Sequence, residues 1–229
     1  MLTTIDSSIL EGMNMKKIIA LAALAAISAT ASAANLIADG SFESIAQAAG
    51  TWNVYQGVNL PGWTVTKANG SATPNGLEVR NNNAGTAEDG VNFIELDGYE
   101  NDKISQSFAT AVGKEYEVSF YFSDRAGVAS ASEGWAANVK TSGGSLLAGS
   151  TFAGALGDNG ASWHLATIDF TATSASTVFS IWATGTSDGY GTSFDNFSAV
   201  AVVPEPATLG LFAAGLAVLG LSSRRRRQQ

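Results

Sequence analysis

Tyr116-Glu117-Val118-Ser119-Phe120-Tyr121-Phe122 sets Tyr116, Val118, Phe120 and Phe122 on one side of an extended chain and the more polar residues on the other. Successive strand side chains point to opposite faces, so this is the period of a strand with one face in a core. Shorter versions recur upstream, in Leu77-Glu78-Val79-Arg80, Asn92-Phe93-Ile94-Glu95-Leu96 and Ile104-Ser105-Gln106-Ser107-Phe108. Downstream come Ala166-Thr167-Ile168-Asp169-Phe170, Val178-Phe179-Ser180-Ile181-Trp182 and Phe194-Asp195-Asn196-Phe197-Ser198-Ala199-Val200. Turn signals separate them: Pro61-Gly62, Asn69-Gly70, Pro74-Asn75-Gly76, Asp97-Gly98, Gly143-Gly144 and Asp158-Asn159-Gly160. Roughly eight to eleven short strands at this spacing predict an all-β fold, a single β-sandwich or barrel.

These strands fall within residues 34–203, a length suited to one domain with a sizeable core. That stretch carries six Lys and Arg against seventeen Asp and Glu, a net of −11, whereas the whole chain is −8 because the tail sets four Arg against Glu205. So acidic a body repels nucleic-acid phosphates, which argues against a nucleic-acid partner, and it can hold calcium. The chain has no cysteine, so stability must come from the core, with a metal as a second source.

Outside the body the chain reads as address signals. Met15-Lys16-Lys17, the apolar stretch 18–27 and Ala31-Ser32-Ala33 form a signal peptide over 15–33, a signal helix cleaved after Ala33. Residues 1–14 lack that character, which points to a start placed too far upstream, with Met15 the initiator and the preceding segment disordered. At the other end, 204–229 holds three pieces in order. Val203-Pro204-Glu205-Pro206 fixes an extended peptide, because each proline fixes its own φ and donates no amide. Residues 207–221 carry no charge and would make a helix of roughly 22 Å, against a hydrocarbon core of roughly 30 Å, so a thin or transient transmembrane anchor. Arg224, Arg225, Arg226 and Arg227 then hold the end on the cytoplasmic side. This tail resembles the PEP-CTERM sorting signal of Gram-negative bacteria. The resemblance implies processing by exosortase, a membrane cysteine transpeptidase. It also implies a precursor tethered to the inner membrane by its C-terminal helix, then release to the cell surface or extracellular matrix.

The body carries a second resemblance. Asn35-Leu36-Ile37-Ala38-Asp39-Gly40-Ser41-Phe42-Glu43, Leu60-Pro61-Gly62-Trp63, Gly90-Val91-Asn92-Phe93-Ile94-Glu95-Leu96-Asp97-Gly98, Ile104-Ser105-Gln106-Ser107 and Phe194-Asp195-Asn196-Phe197 are similar to motifs of galactose-binding-like jelly rolls. Many carbohydrate-binding modules share that fold. The resemblance implies that the first and last strands pair and set Glu43 and Asp195 side by side at one edge, where such modules often hold a structural calcium. Two carboxylates are fewer than the six to eight oxygens calcium takes, so main chain and water would complete it. The other reading is that both acids accept backbone amides.

For chemistry, His164 is the only histidine, and no Gly-x-Ser-x-Gly elbow is present, so a Ser-His-Asp triad has little to build on. A zinc site of the usual His/Cys type has no ligands. Glycoside hydrolysis would need two placed carboxylates, and Glu78, Glu88, Asp89, Glu95, Asp97, Glu100 and Asp102 read instead as solvated acids. Sugar stacking needs exposed aromatics; Trp52, Tyr55, Tyr99, Trp135 and Tyr190 stand near loops, and they count only if several share one face. The expectation is a non-enzymatic matrix or surface protein that contacts exopolysaccharide. A small glycan-active enzyme and a purely protein-interacting module are the alternatives.

Overall fold

The computed structural model describes residues 33–55, 60–69 and 76–202; the predicted signal peptide, the residues before it and the tail from Val203 lie outside the described residues. Ala33–Val202 forms one compact unit. Its described residues contain eleven strands: β1 (Trp52–Tyr55), β2 (Thr64–Lys67), β3 (Leu77–Asn81), β4 (Asn92–Glu95), β5 (Asp102–Ala109), β6 (Glu115–Ser123), β7 (Gly134–Thr141), β8 (Leu146–Ala153), β9 (His164–Thr171), β10 (Ser176–Ala183) and β11 (Ser193–Ala201). One 3-10 turn, Ser130–Ser132, interrupts them. Among the described residues no helix is long and apolar enough to cross a membrane.

The strands form two antiparallel sheets, ordered β1-β3-β4-β11-β6-β9 and β2-β5-β10-β7-β8. This is the expected all-β sandwich, with the connectivity of a jelly roll. The β6 alternation holds throughout: Tyr116, Val118, Phe120 and Phe122 are buried between the sheets. Phe120 is the hub, its ring 5.0 Å from Trp135, 5.5 Å from Phe197 and 6.0 Å from Phe179. Burying each such ring contributes about 1.5–3 kcal/mol, so the core is built on aromatic contacts rather than on cross-links.

Phe194 and Phe197 both face the core although they lie three apart, which simple alternation forbids. The register of β11 against β6 shifts between Asp195 and Ser198, and Asn196 has φ of 49°. This β-bulge adds one residue and returns the second phenylalanine to the core. The opening motif docks on the same stretch: Leu36 N donates to Ala199 O, Phe197 N donates to Gly40 O, and the Asn35 side chain bonds Ile37, Phe197 and Ala199. A Cβ at Gly40 would lie 2.1 Å from Phe197 O, so only glycine permits this approach. Two expectations change here. The opening motif runs as bends and turns, not as a strand, and β11 lies in the middle of its sheet, not at an edge.

Candidate functional site

In β3 and β4 the side chains Leu77, Val79 and Ile94 point into the core, so alternation sends Glu78, Arg80, Phe93 and Glu95 to the outer face of the six-stranded sheet. The sequence reading makes Glu78 and Glu95 solvated acids. All four side chains are instead buried, Arg80 and Glu95 completely, because side chains from the loops after β3, β6, β8 and β10 close over them. Trp163 packs edge-on to Phe93 at 5.8 Å and its indole N–H donates to Thr86 O. Arg125 reaches over from the β6–β7 connection, and Tyr190 lies on top of it, ring centroid 4.6 Å from the guanidinium carbon.

The charges beneath form one network. Arg80 Nε donates to Glu78 Oε1 at 2.6 Å, and its other guanidinium nitrogens meet Glu95 and, at 3.3 Å, the Ser193 hydroxyl. Arg125 Nη1 lies 3.2 and 3.1 Å from the two Glu95 oxygens and 3.8 Å from Glu78. Burial lowers the Arg80 pKa to about 10, helped by the neighbouring Arg125 and opposed by Glu78, so it stays protonated at neutral pH. Glu133, buried beside them, accepts the Arg125 amide at 2.9 Å and the Thr192 hydroxyl at 2.7 Å; burial is the main cause that raises its pKa.

Three of the five aromatics singled out in the sequence border this face and are about half exposed: Trp52, Tyr99 and Tyr190. Trp52 is the direct cross-strand partner of Arg80 and so shares its face. Tyr99 follows Gly98, where a Cβ would stand 3.4 Å from Glu78 Cβ, so its loop closes one end of the charged row. The other two turn away. Tyr55 pairs with Leu77, packs on the core and donates its hydroxyl to Gln47. Trp135 is a correction: it opens β7 on the inward register, is 3% exposed, and lies 5.2 Å from the Phe122 ring, so no ligand can stack on it.

Glu43 and Asp195 both fasten the β3–β4 loop. Glu43 Oε1 accepts the amides of Val91 and Asn92; Asp195 Oδ2 accepts those of Glu88 and Asp89, and its Oδ1 that of Asn196. Amide hydrogens therefore meet one Glu43 oxygen and both Asp195 oxygens. No group of three or more Asp, Glu, His or Cys that could hold a metal occurs among the described residues. The pair fits amide acceptance better than calcium ligation. His164 is exposed, its Nε2 3.2 Å from Asp158 Oδ2.

Arg125 and Trp163 were missed in the sequence. The available signal was that the body has only two arginines, and one of them alternates with core residues in β3. What covers a sheet's outer face is a tertiary fact.

Residues 202–227 match the family model of the PEP-CTERM protein-sorting motif. No curated protein matches the chain. Among solved structures, the chain is similar to an arabinose-bound GH51 α-L-arabinofuranosidase, at 14% identity and TM-score 0.47 over 73% of this chain and 26% of that one. It is also similar to a family 61 carbohydrate-binding module in complex with β-1,4-galactotriose, at 18% identity and TM-score 0.43 over 74% and 99%. A family 35 module from Clostridium thermocellum gives 14% identity and TM-score 0.42 over 66% and 99%. The chain thus spans about a quarter of the enzyme and nearly all of each module.

Proposed function

We propose that this is an exported, non-enzymatic surface or matrix protein, sorted by exosortase through its C-terminal tail, whose body binds exopolysaccharide. The sorting motif at 202–227 carries the export half of this reading. The binding half rests on one observation, the half-exposed Trp52, Tyr99 and Tyr190 around the outer face of the six-stranded sheet. Tyr190 is held flat by Arg125, which in turn is held by Glu95, so the ring is presented at little entropic cost.

Against an enzyme stands the state of the nearest carboxylate pair. Glu78 and Glu95 are direct cross-strand partners, yet both are buried and ion-paired to arginine. Both carboxylates are engaged by guanidinium groups rather than standing free beside an open cleft. A glycan-active hydrolase would need one acid free in a cleft.

The test is binding of the chain to immobilised bacterial exopolysaccharides, parent against Trp52→Ala, Tyr99→Ala and Tyr190→Ala. Loss of about 1–3 kcal/mol of affinity per ring in at least two variants, with unchanged melting temperature, is the expected result. Binding untouched by all three, or no binding by a folded parent, would overturn the glycan reading and favour a protein partner for the same face.

A further inference from the structure

The acid pair marked out in the sequence accepts five backbone amides, whereas another pair of buried oxygens accepts none. Asp97 and Asn101 face each other across the β4–β5 turn as an isolated antiparallel bridge, so their side chains leave the ladder on the same side. Asp97 is completely buried; its Oδ2 accepts the amides of Asp188 and Gly189, while Oδ1 is buried with no donor. Asn101 Nδ2 donates to Gly185 O at 2.8 Å, which fixes the amide's orientation and leaves Oδ1, likewise buried, without a donor. Two bridge partners thus each carry a buried oxygen acceptor that no donor meets.

The surroundings add negative charge. Asp188 is near enough to Asp97 that repulsion contributes, after burial, to raising the Asp97 pKa. The Asp188 carboxylate itself accepts the Ser132 hydroxyl and the Tyr190 amide. Lys67, the cation at this end of β2, reaches Glu100 instead, at 2.7 Å. Leaving a carboxylate oxygen and an amide oxygen buried and unmet is costly, and an acceptor-only, all-oxygen set is what a hard divalent cation requires.

We propose that Asp97 Oδ1 and Asn101 Oδ1 are ligands of a calcium-class cation, held between the β4–β5 turn and the 185–189 segment, with main-chain carbonyls and water completing its shell. Calcium suits it better than magnesium, which demands regular octahedral geometry and keeps most of its own waters. The ion would tie together the two loops that carry Tyr99 and Tyr190, and it is a site distinct from Glu43 and Asp195.

The full chain in mild detergent, stripped with chelator, is titrated with calcium while its melting temperature is followed. In parallel, terbium luminescence is excited through tyrosine, since Tyr99 lies between the two ligands. A rise of roughly 5–10 °C at a hundred-fold excess over Kd is expected, with terbium emission. Asp97→Asn should abolish both. Asn101→Asp should melt lower than the parent in chelator, because it sets two carboxylates together, and recover more than the parent does when calcium is added. A buried water in place of the ion predicts no calcium shift in any variant, and that result overturns the proposal. So does a shift that survives Asp97→Asn and disappears in Glu43→Gln.

Discussion

Arg80 has no solvent contact, and together with Arg125 it balances two acids that have almost none. Removing one member of a buried ionic cluster leaves uncompensated charge in low dielectric, which costs more than the cluster contributes. Arg80→Met should therefore destabilise the fold by about 3–5 kcal/mol in denaturant titration, and adding Glu78→Met and Glu95→Leu should recover most of it. If Arg80→Met costs under about 1 kcal/mol, the arginine is better solvated than its burial implies. At this scale the sequence is legible for types and not for surroundings. Leu77-Glu78-Val79-Arg80 announces which side chains leave the core, but whether they meet water depends on loops distant in sequence. Trp135 shows the opposite failure: a tryptophan beside a loop reads as exposed until the register of β7 turns it inward.

Among the elements, β6 is written plainly in the sequence, because four large apolar residues alternate without interruption. The strands β7 and β8 are not, since alanine stands on both faces of β7, Ser150 and Ala148 dilute the inward face of β8, and their register shifts between Val139 and Lys140. The position of β11 is harder still, as sheet order follows from pairings far apart in the chain. Its bulge nevertheless has a local consequence at Asp195. That carboxylate is fully buried, and desolvation, helped by repulsion from the Glu88 carboxylate, raises its pKa to about 7 against three backbone amides that pull the other way. A folded pKa above the unfolded one means that the native state binds more protons between the two values, so stability falls as pH rises from about 4 to about 7. The melting temperature should drop across that window. In Asp195→Asn the slope should be shallower, with the residual slope owed to Asp97 and Glu133, whose pKa values burial also raises. A slope unchanged in Asp195→Asn would mean that its three amide donors outweigh desolvation.

For the whole molecule, the arrangement of body and tail follows one logic. The last strand, β11, is packed mid-sheet and ends at Ala201, and the sorting motif begins at residue 202. Val202 N still donates to Glu115 O, so the ordered body reaches to the motif's first residue without a linker. Cutting the chain at or after Pro204 would then take nothing from the core, and a folded, acidic body could be released intact. On the proposed sorting function, Pro204 and Pro206 are expected to matter because two prolines restrict the backbone around Glu205 and disfavour helix there. In cells that carry exosortase, the parent chain should appear in the surface or extracellular fraction. Pro204→Ala with Pro206→Ala should instead accumulate at full length in the inner-membrane fraction, unless the arginines are also removed. Cell fractionation with detection of both ends of the chain reads this directly. Equal release of parent and double variant would show that the prolines are not what the sorting machinery recognises, and it would leave the apolar run and arginine cluster as the operative signal.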